Sequence, residues 1–359
     1  MIDRRSLLQH SAALLALAAL PGRAEVQPAR RPLDLLFLGG TGFLGIHQVE
    51  YALARGHRVT LFNRGRSATQ PFGGRVEVLL GDRDAKVGAG LGALAGKRRW
   101  DAVIDNSGYV PRHVDDSATL LRDRTRRYVF VSTVAVYDPA GGPNYTEASP
   151  LHAAPTPATE TVDGGTYGPL KAECERAAAA VLGRRLTVVR PPFVFGPGDD
   201  TDRFTYWVER VARGGEALGP SQPDLLLNWI DARDLCPWTV QLAEQNVAGV
   251  FNAAGPVEPT SWRQMLETLL PLAEQPARLR WANPEALARH KVSLPLFSSN
   301  TRQRRYESQP AYRAGLQPRP LAETARATLA WWRAQTAERR ARAEGWPTPE
   351  QEQAVLRES

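Results

Sequence analysis

Tyr167 and Lys171 stand four residues apart in the run Tyr167-Gly168-Pro169-Leu170-Lys171. On a helix that spacing puts both side chains on one face. A lone tyrosine, with a pKa near about 10, is a poor base at neutral pH. A neighbouring ammonium favours the phenolate and turns the phenol into a usable proton carrier. Upstream, Ser132 and Thr133 follow the apolar run Tyr128–Val131. A hydroxyl at the C-terminal end of a parallel strand points into the crevice where ligands bind. Hydroxyl, phenol and ammonium together suit proton transfer at a carbon–oxygen bond.

A second constellation is glycine-rich. Gly39, Gly42 and Gly45 form G-x-x-G-x-x-G, and the stretch Gly40–Gly45 also reads G-x-G-x-x-G, with Thr41, Phe43 and Leu44 between the glycines. The pattern alone is weak. Here it follows an apolar run, Leu33–Leu38, and opens a helical pattern that extends to about Arg55. In that context the glycines allow a tight turn, close approach of backbone to a pyrophosphate, and close helix–strand packing. The helix N-terminus then faces the phosphate charge.

The residues after the second strand bear on which dinucleotide is bound. An NAD site usually places an acid there for the adenosine ribose. Asn63 stands 18 residues after Gly45, about where the acid falls, and the run continues Arg64-Gly65-Arg66 with no acid close by. Arg64 and Arg66 are suited to a 2′-phosphate. The expected cofactor is therefore NADP rather than NAD.

These groups need a scaffold that brings strand ends together. Strand patterns are expected at 33–38, 58–62, 76–79, 102–104, 128–131 and 187–189, most of them separated by helical stretches. Such alternation argues a doubly wound parallel sheet of Rossmann type. From about Pro191 the punctuation by proline and glycine changes, with further strand patterns at 225–230 and 249–252. The expected division is a nucleotide-binding domain over 30–195 plus about 223–255, a smaller substrate lobe over about 196–222 plus 256–335, and a charged C-terminal helical tail over 336–359 packing on the surface.

With those pieces placed, the chain resembles the short-chain dehydrogenase/reductase superfamily in its extended or atypical form, the epimerase/dehydratase branch. The matching pieces are the 39–45 glycine motif, Gly81-Asp82-Arg83-Asp84, Ser132–Tyr137, Tyr167–Lys171, Arg190–Gly198 and Asp231–Leu235. The resemblance implies that Tyr167 is the acid/base, Lys171 its partner and ribose ligand, and Thr133 the hydroxyl that orients the substrate oxygen, with Ser132 as runner-up. It implies that Asp82, with Arg83 nearby, meets the adenine. It further implies that Asn106, Ser107 and Gly108 contact the cofactor ribose, and that Pro191, Phe193 and Val194 line the nicotinamide side. Tyr109, His113, Tyr145, Trp229 and Arg233 are the candidate substrate contacts. Tyr145 lies in a long stretch, 138–166, read as a loop near the mouth of the site.

Composition removes several other classes. The chain of 359 residues is 43% hydrophobic and 23% charged, enough apolar mass for a buried core. Cys174 and Cys236 allow at most one disulfide and no cysteine-built zinc site. The six histidines never pair at a metal-ligand spacing, so no metal is expected. Net charge is +7, but the arginines are interleaved with acids, which argues against nucleic acid as a partner. A non-catalytic nucleic-acid-binding role, as in the related chloroplast stem-loop-binding proteins, is set against the intact Thr133, Tyr167 and Lys171 set. No apolar run reaches the length of a membrane span.

The first 24 residues read as an address. Arg4-Arg5 precede an apolar stretch from Leu7 to Leu20, and Gly22 and Ala24 are small residues at the −3 and −1 positions of a cut. This is the pattern of a twin-arginine signal peptide, implying the twin-arginine export machinery as a partner, cleavage near Ala24 and a periplasmic location. Free nicotinamide cofactor is scarce outside the cytoplasm. An exported enzyme that carries its cofactor must end each turnover in the starting redox state, which favours epimerisation or dehydration of a sugar-like or polyol-like small molecule. The alternative is an NADPH-dependent carbonyl reductase. A monomer or homodimer is expected.

Overall fold

Leu35 and Phe37 pack into one apolar core, and Leu36 and Leu38 into another. Alternate strand side chains point to opposite faces, so this strand is covered on both sides. It is β1 (Asp34–Leu38) of a computed structural model that describes residues 26–66 and 71–359. The expected signal peptide lies outside the described residues.

The chain continues through α1 (Phe43–Ala54), β2 (Arg58–Asn63), β3 (Glu77–Leu80), β4 (Trp100–Asp105), α2 (Pro111–Leu121), β5 (Thr125–Val131), β6 (Asn144–Tyr145), α3 (Tyr167–Leu182) and β7 (Leu186–Arg190). Next come β8 (Phe193–Phe195), α4 (Arg203–Ala212), β9 (Gly215–Gly219), β10 (Leu226–Asp231), α5 (Ala232–Glu244), β11 (Gly249–Asn252), β12 (Gly255–Ser261) and α6 (Trp262–Leu269). It ends with β13 (Ala277–Trp281), α7 (Pro284–Arg289), β14 (Arg305–Tyr306), α8 (Gln309–Arg313), α9 (Leu321–Arg333), α10 (Ala337–Arg340) and α11 (Pro349–Leu356).

Seven strands form the central parallel sheet in the order β11-β7-β5-β4-β1-β2-β3. This is the doubly wound Rossmann-type arrangement. Helices α1 and α5 pack together on one face, α2 and α3 on the other. The winding reverses between β1 and β4, so the crevice opens beyond their C-terminal ends.

The smaller lobe has its own core, built around the buried Trp207, Trp229 and Trp262. Here the structure departs from the expected division. β10, assigned to the nucleotide-binding domain by its apolar run, lies instead in a three-stranded sheet with β8 and β12. Its Trp229 stacks on Phe195 at 5.6 Å, and aromatic packing of that kind is a tertiary matter that a strand pattern does not reveal. The tail over 336–359 is more than a surface helix. Val355 and Leu356 enter the second core, and Glu352 forms a buried ion pair with Arg210 at 2.7 Å.

Among the described residues no helix is long and apolar enough to cross a membrane, and no group of three or more potential ligands is placed to hold a metal ion.

Candidate active site

The glycine turn closes as its sequence requires. Gly39 takes a positive φ of 83°, a region that favours glycine. A Cβ on Gly45 would stand 2.5 Å from the Gly40 carbonyl carbon, so only glycine lets α1 settle on the turn. The N-cap Gly42 offers no side-chain hydrogen bond, and the first turn of α1 carries no acid. The amides at this end are left to an anionic ligand, and the space over Gly42 is open.

Beyond the turn lies a cavity of about 680 Å³ at the C-terminal ends of β4, β5 and β7. Phe43, Leu44, Asn106, Tyr109, Ser132, Thr133, Tyr167, Lys171, Pro191, Phe193 and Val194 all line it. Tyr109 and Phe193 are exposed large apolar side chains, and their exposed faces belong to this cavity.

Tyr167 opens α3, where Gly168 sits against the Ala135 carbonyl. A Cβ at Gly168 would lie 2.3 Å from that oxygen. This small residue lets the start of the helix approach the Ser132–Ala135 turn, and the Tyr167 phenol hydrogen-bonds the Thr133 side chain. Thr133 Oγ1 also accepts from the Ala135 amide at 3.2 Å. The ring of Tyr109 lies 6.3 Å from that of Tyr167.

One turn along α3, Lys171 is buried and donates to the Gly108 and Val131 carbonyls, both at 2.8 Å. Its ammonium also rests 4.2 Å from the centre of the Phe130 ring. Burial pulls its pKa down to about 8. The expectation that Lys171 makes Tyr167 more acidic is not met in this geometry. Burial pushes the phenol above its ordinary range, and the Thr133 hydrogen bond and the charge of Arg203 only partly offset it. The reason is placement: the Lys171 ammonium donates to the Gly108 and Val131 carbonyls, not to the phenol.

The donors fit a dinucleotide. Asn106 lines the cavity and donates to the Gly39 carbonyl and to Gln48, while its own Oδ1 is buried without a partner. A ribose hydroxyl bound beside Asn106 would supply the missing donor. Lys171 has a third N–H beyond the two used. Asn63 accepts from the Gly65 amide, and Arg64 and Arg66 are exposed and form no ion pair among the described residues. Asp82, following β3, accepts from the Asp84 amide.

Several expected ligands are committed elsewhere. Arg83 is not free for a cofactor: it makes a bidentate pair with the fully buried Asp105 at 2.6 and 3.0 Å, and also reaches Ser107 and Ser117. Ser107 spends its hydroxyl on the Leu38 carbonyl. Gly108 is tightly enclosed by Phe130 and serves through its carbonyl. Ser132 donates to Glu175. His113 lies in the first turn of α2, between Arg112 and Asp84, outside the cavity lining.

Tyr145, Trp229 and Arg233 are likewise not brought to the cavity. Tyr145 is buried among Tyr137 and Tyr306 and donates to the Asp138 carbonyl. The short β6 strand that carries it pairs with β14, so the stretch read as a mouth loop is pinned there. Trp229 is wholly buried in the second core. Arg233 is paired with Asp231 at 2.6 Å. In their place the cavity wall takes Asn228, Arg203, Trp262, Phe297, Arg302 and Arg304, which the sequence reading did not single out. They come from separated segments of the small lobe and share no local pattern.

Residues 35–254 match the model of the NAD dependent epimerase/dehydratase family. The chain is 30% identical over 244 residues to epimerase family protein SDR39U1 of Homo sapiens, covering 64% of this chain and 77% of that protein. The crystal structure of human SDR39U1 (isoform 2) with NADPH superposes with a TM-score of 0.57 at 20% identity, over 82% of this chain and 98% of that one. The Bordetella bronchiseptica enzyme WbmG in complex with NAD and UDP gives a TM-score of 0.60 at 17% identity, over 84% of this chain and 96% of that one.

Proposed function

This chain belongs to the NAD dependent epimerase/dehydratase family, the extended short-chain dehydrogenases/reductases, and from that premise we propose an exported, NADP-carrying oxidoreductase that epimerises or dehydrates a sugar-like or polyol-like alcohol. The observation that carries the reading is the meeting of Thr133, Tyr167 and Lys171 in one cavity with the orphaned Asn106 Oδ1 and the open N-terminus of α1.

When bound in its oxidised form, the nicotinamide would accept a hydride from the alcohol carbon and return it. Thr133 hydrogen-bonds the reacting oxygen of the substrate, and Tyr167 gives or takes that oxygen's proton. Lys171, with Gly108 and Val131 fixing it, holds a ribose through its remaining N–H. Phe193 and Tyr109 exclude water from the reacting carbon. Arg64 and Arg66 favour a 2′-phosphate, and the human relative crystallised with NADPH supports the same choice, whereas WbmG was crystallised with NAD.

The twin-arginine leader, Arg4-Arg5 onward, supports export with the cofactor in place. A cofactor retained there favours a redox-neutral reaction. The test is to mix nucleotide-loaded protein with a panel of free sugars and polyols and follow the near-ultraviolet absorbance of reduced nicotinamide. A transient signal that decays, with an isomer or dehydrated product, is expected. Stoichiometric reduced nucleotide and a carbonyl product would instead identify a plain dehydrogenase or carbonyl reductase.

A further inference from the structure

We propose that Arg339 is a positioning residue for cofactor retention: it clamps the loop over residues 196–202 against the nucleotide cavity, so that bound nucleotide leaves slowly. This deepens the retained-cofactor reading above and rests on it. The first observation is where the loop runs. It joins β8 to α4, and its Asp199, Asp200 and Thr201 line the cavity together with Phe43, Asn106 and Lys171. At its start the loop is seated on α1. His47 Nε2 donates to the Pro197 carbonyl at 2.8 Å, and a Cβ at Gly198 would stand 3.6 Å from the Phe43 ring. Phe43 follows Gly42, the N-cap of α1. The loop therefore rests on the same helix end whose amides suit a phosphate.

The second observation is that the far end of the loop is strained and held by the tail. Asp202 takes a φ of 52°, in the left-handed region. A residue other than glycine persists there only where its surroundings over-determine it. Asp202 stands at the N-cap of α4, yet its carboxylate makes no capping bond to that helix. The carboxylate is buried and given to Arg339, which grips it in a fork at 2.7 and 2.8 Å. The Asp202 carbonyl accepts from Trp346 Nε1 at 3.2 Å.

The third observation is that the clamp is itself anchored. The Arg339 guanidinium lies 5.5 Å from the centre of the Trp332 ring, and Trp346 packs on Trp332 at 5.4 Å and on Tyr206 at 5.5 Å. Further along, Glu352 accepts from Arg210 and from the Leu218 amide. Arg339 and Trp346 both lie outside residues 35–254, the stretch that matches the family. The loop's own acids are not anion ligands: Asp199 turns onto the Thr201 amide and hydroxyl, and Asp200 is exposed. The loop therefore retains nucleotide by enclosure, and Arg339 acts through the loop and not on the nucleotide.

The test is the rate of NADPH release from the full chain, followed by stopped-flow fluorescence after mixing NADPH-loaded protein with excess NADP. Arg339→Leu and the isosteric Asp202→Asn are each expected to release NADPH about ten- to a hundredfold faster than wild type. Arg339→Lys keeps the charge but loses the fork, and its rate is expected to fall between. Where Arg339→Leu yields little folded protein, Asp202→Asn carries the decision. Leu182→Ala is the stability control: it truncates a buried side chain at the end of α3 away from Tyr167, and is expected to lower the urea midpoint without changing release. Release unchanged in Asp202→Asn, or accelerated as much in Leu182→Ala, overturns the proposal and leaves the cofactor reading standing. A wild type that binds no NADPH overturns both.

Discussion

Ser132 donates its hydroxyl proton to Glu175 across 2.5 Å, and Glu175 is gripped in turn by Arg190 at 2.6 Å. That chain of bonds decides between two adjacent hydroxyls. Ser132 is bound into the protein, whereas Thr133 only accepts from Ala135 and keeps its proton for Tyr167 or substrate. Thr133→Ala is expected to lower turnover about 10²- to 10³-fold while sparing nucleotide binding. Ser132→Ala is expected to cost about 1–2 kcal/mol of stability, read by urea denaturation, with turnover changed less than tenfold. Equal turnover losses in the two variants would reverse the assignment.

Lys171 offers a direct titration. The chain has four lysines, so labelling at lysine Cε isolates this one by NMR. Burial favours the neutral amine, and the midpoint is expected near 8 instead of the ordinary 10.5. Between those values the unfolded chain binds more protons than the folded one, so this group makes stability rise with pH across that window. A midpoint near the ordinary value would contradict the buried geometry.

Arg83 is expected to behave as a structural residue. Arg83→Met leaves the fully buried Asp105 with only Tyr128 and the Ser107 amide for partners. The expected loss is about 3–5 kcal/mol of stability, measured by urea denaturation. Conversely, a stable Arg83→Met protein with weakened nucleotide binding would restore it as a cofactor ligand.

Arg64 and Arg66 carry the cofactor preference. The double substitution to alanine is expected to weaken NADPH binding about tenfold or more in a fluorescence titration, with NADH binding unchanged. Parallel losses for both nucleotides would show that the arginines do not read the 2′-phosphate.

The nucleotide half of the molecule was legible because its signals are local. Leu33–Leu38 followed by Gly39–Gly45 defines strand, turn and helix in one short run, and every central-sheet strand was visible as an apolar stretch. Tyr167 and Lys171 were legible through helical spacing. What escaped depends on tertiary placement. β9, β12 and β13 carry prolines, glycines or charges, β8 is three apolar residues set among prolines and glycines, and β10 reads as an apolar strand whichever sheet it joins. Arg83 looked like a ligand by its position after β3, but the buried Asp105 at the end of β4 claims it, and no spacing rule shows that pairing.

The central claim is that the protein carries its own NADP. Protein recovered from the exported fraction should be denatured and the released nucleotide identified and quantified by mass spectrometry. One NADP for each chain is expected. NAD in its place would contradict the roles of Arg64 and Arg66, and a chain that releases no nucleotide would contradict the retained-cofactor account altogether.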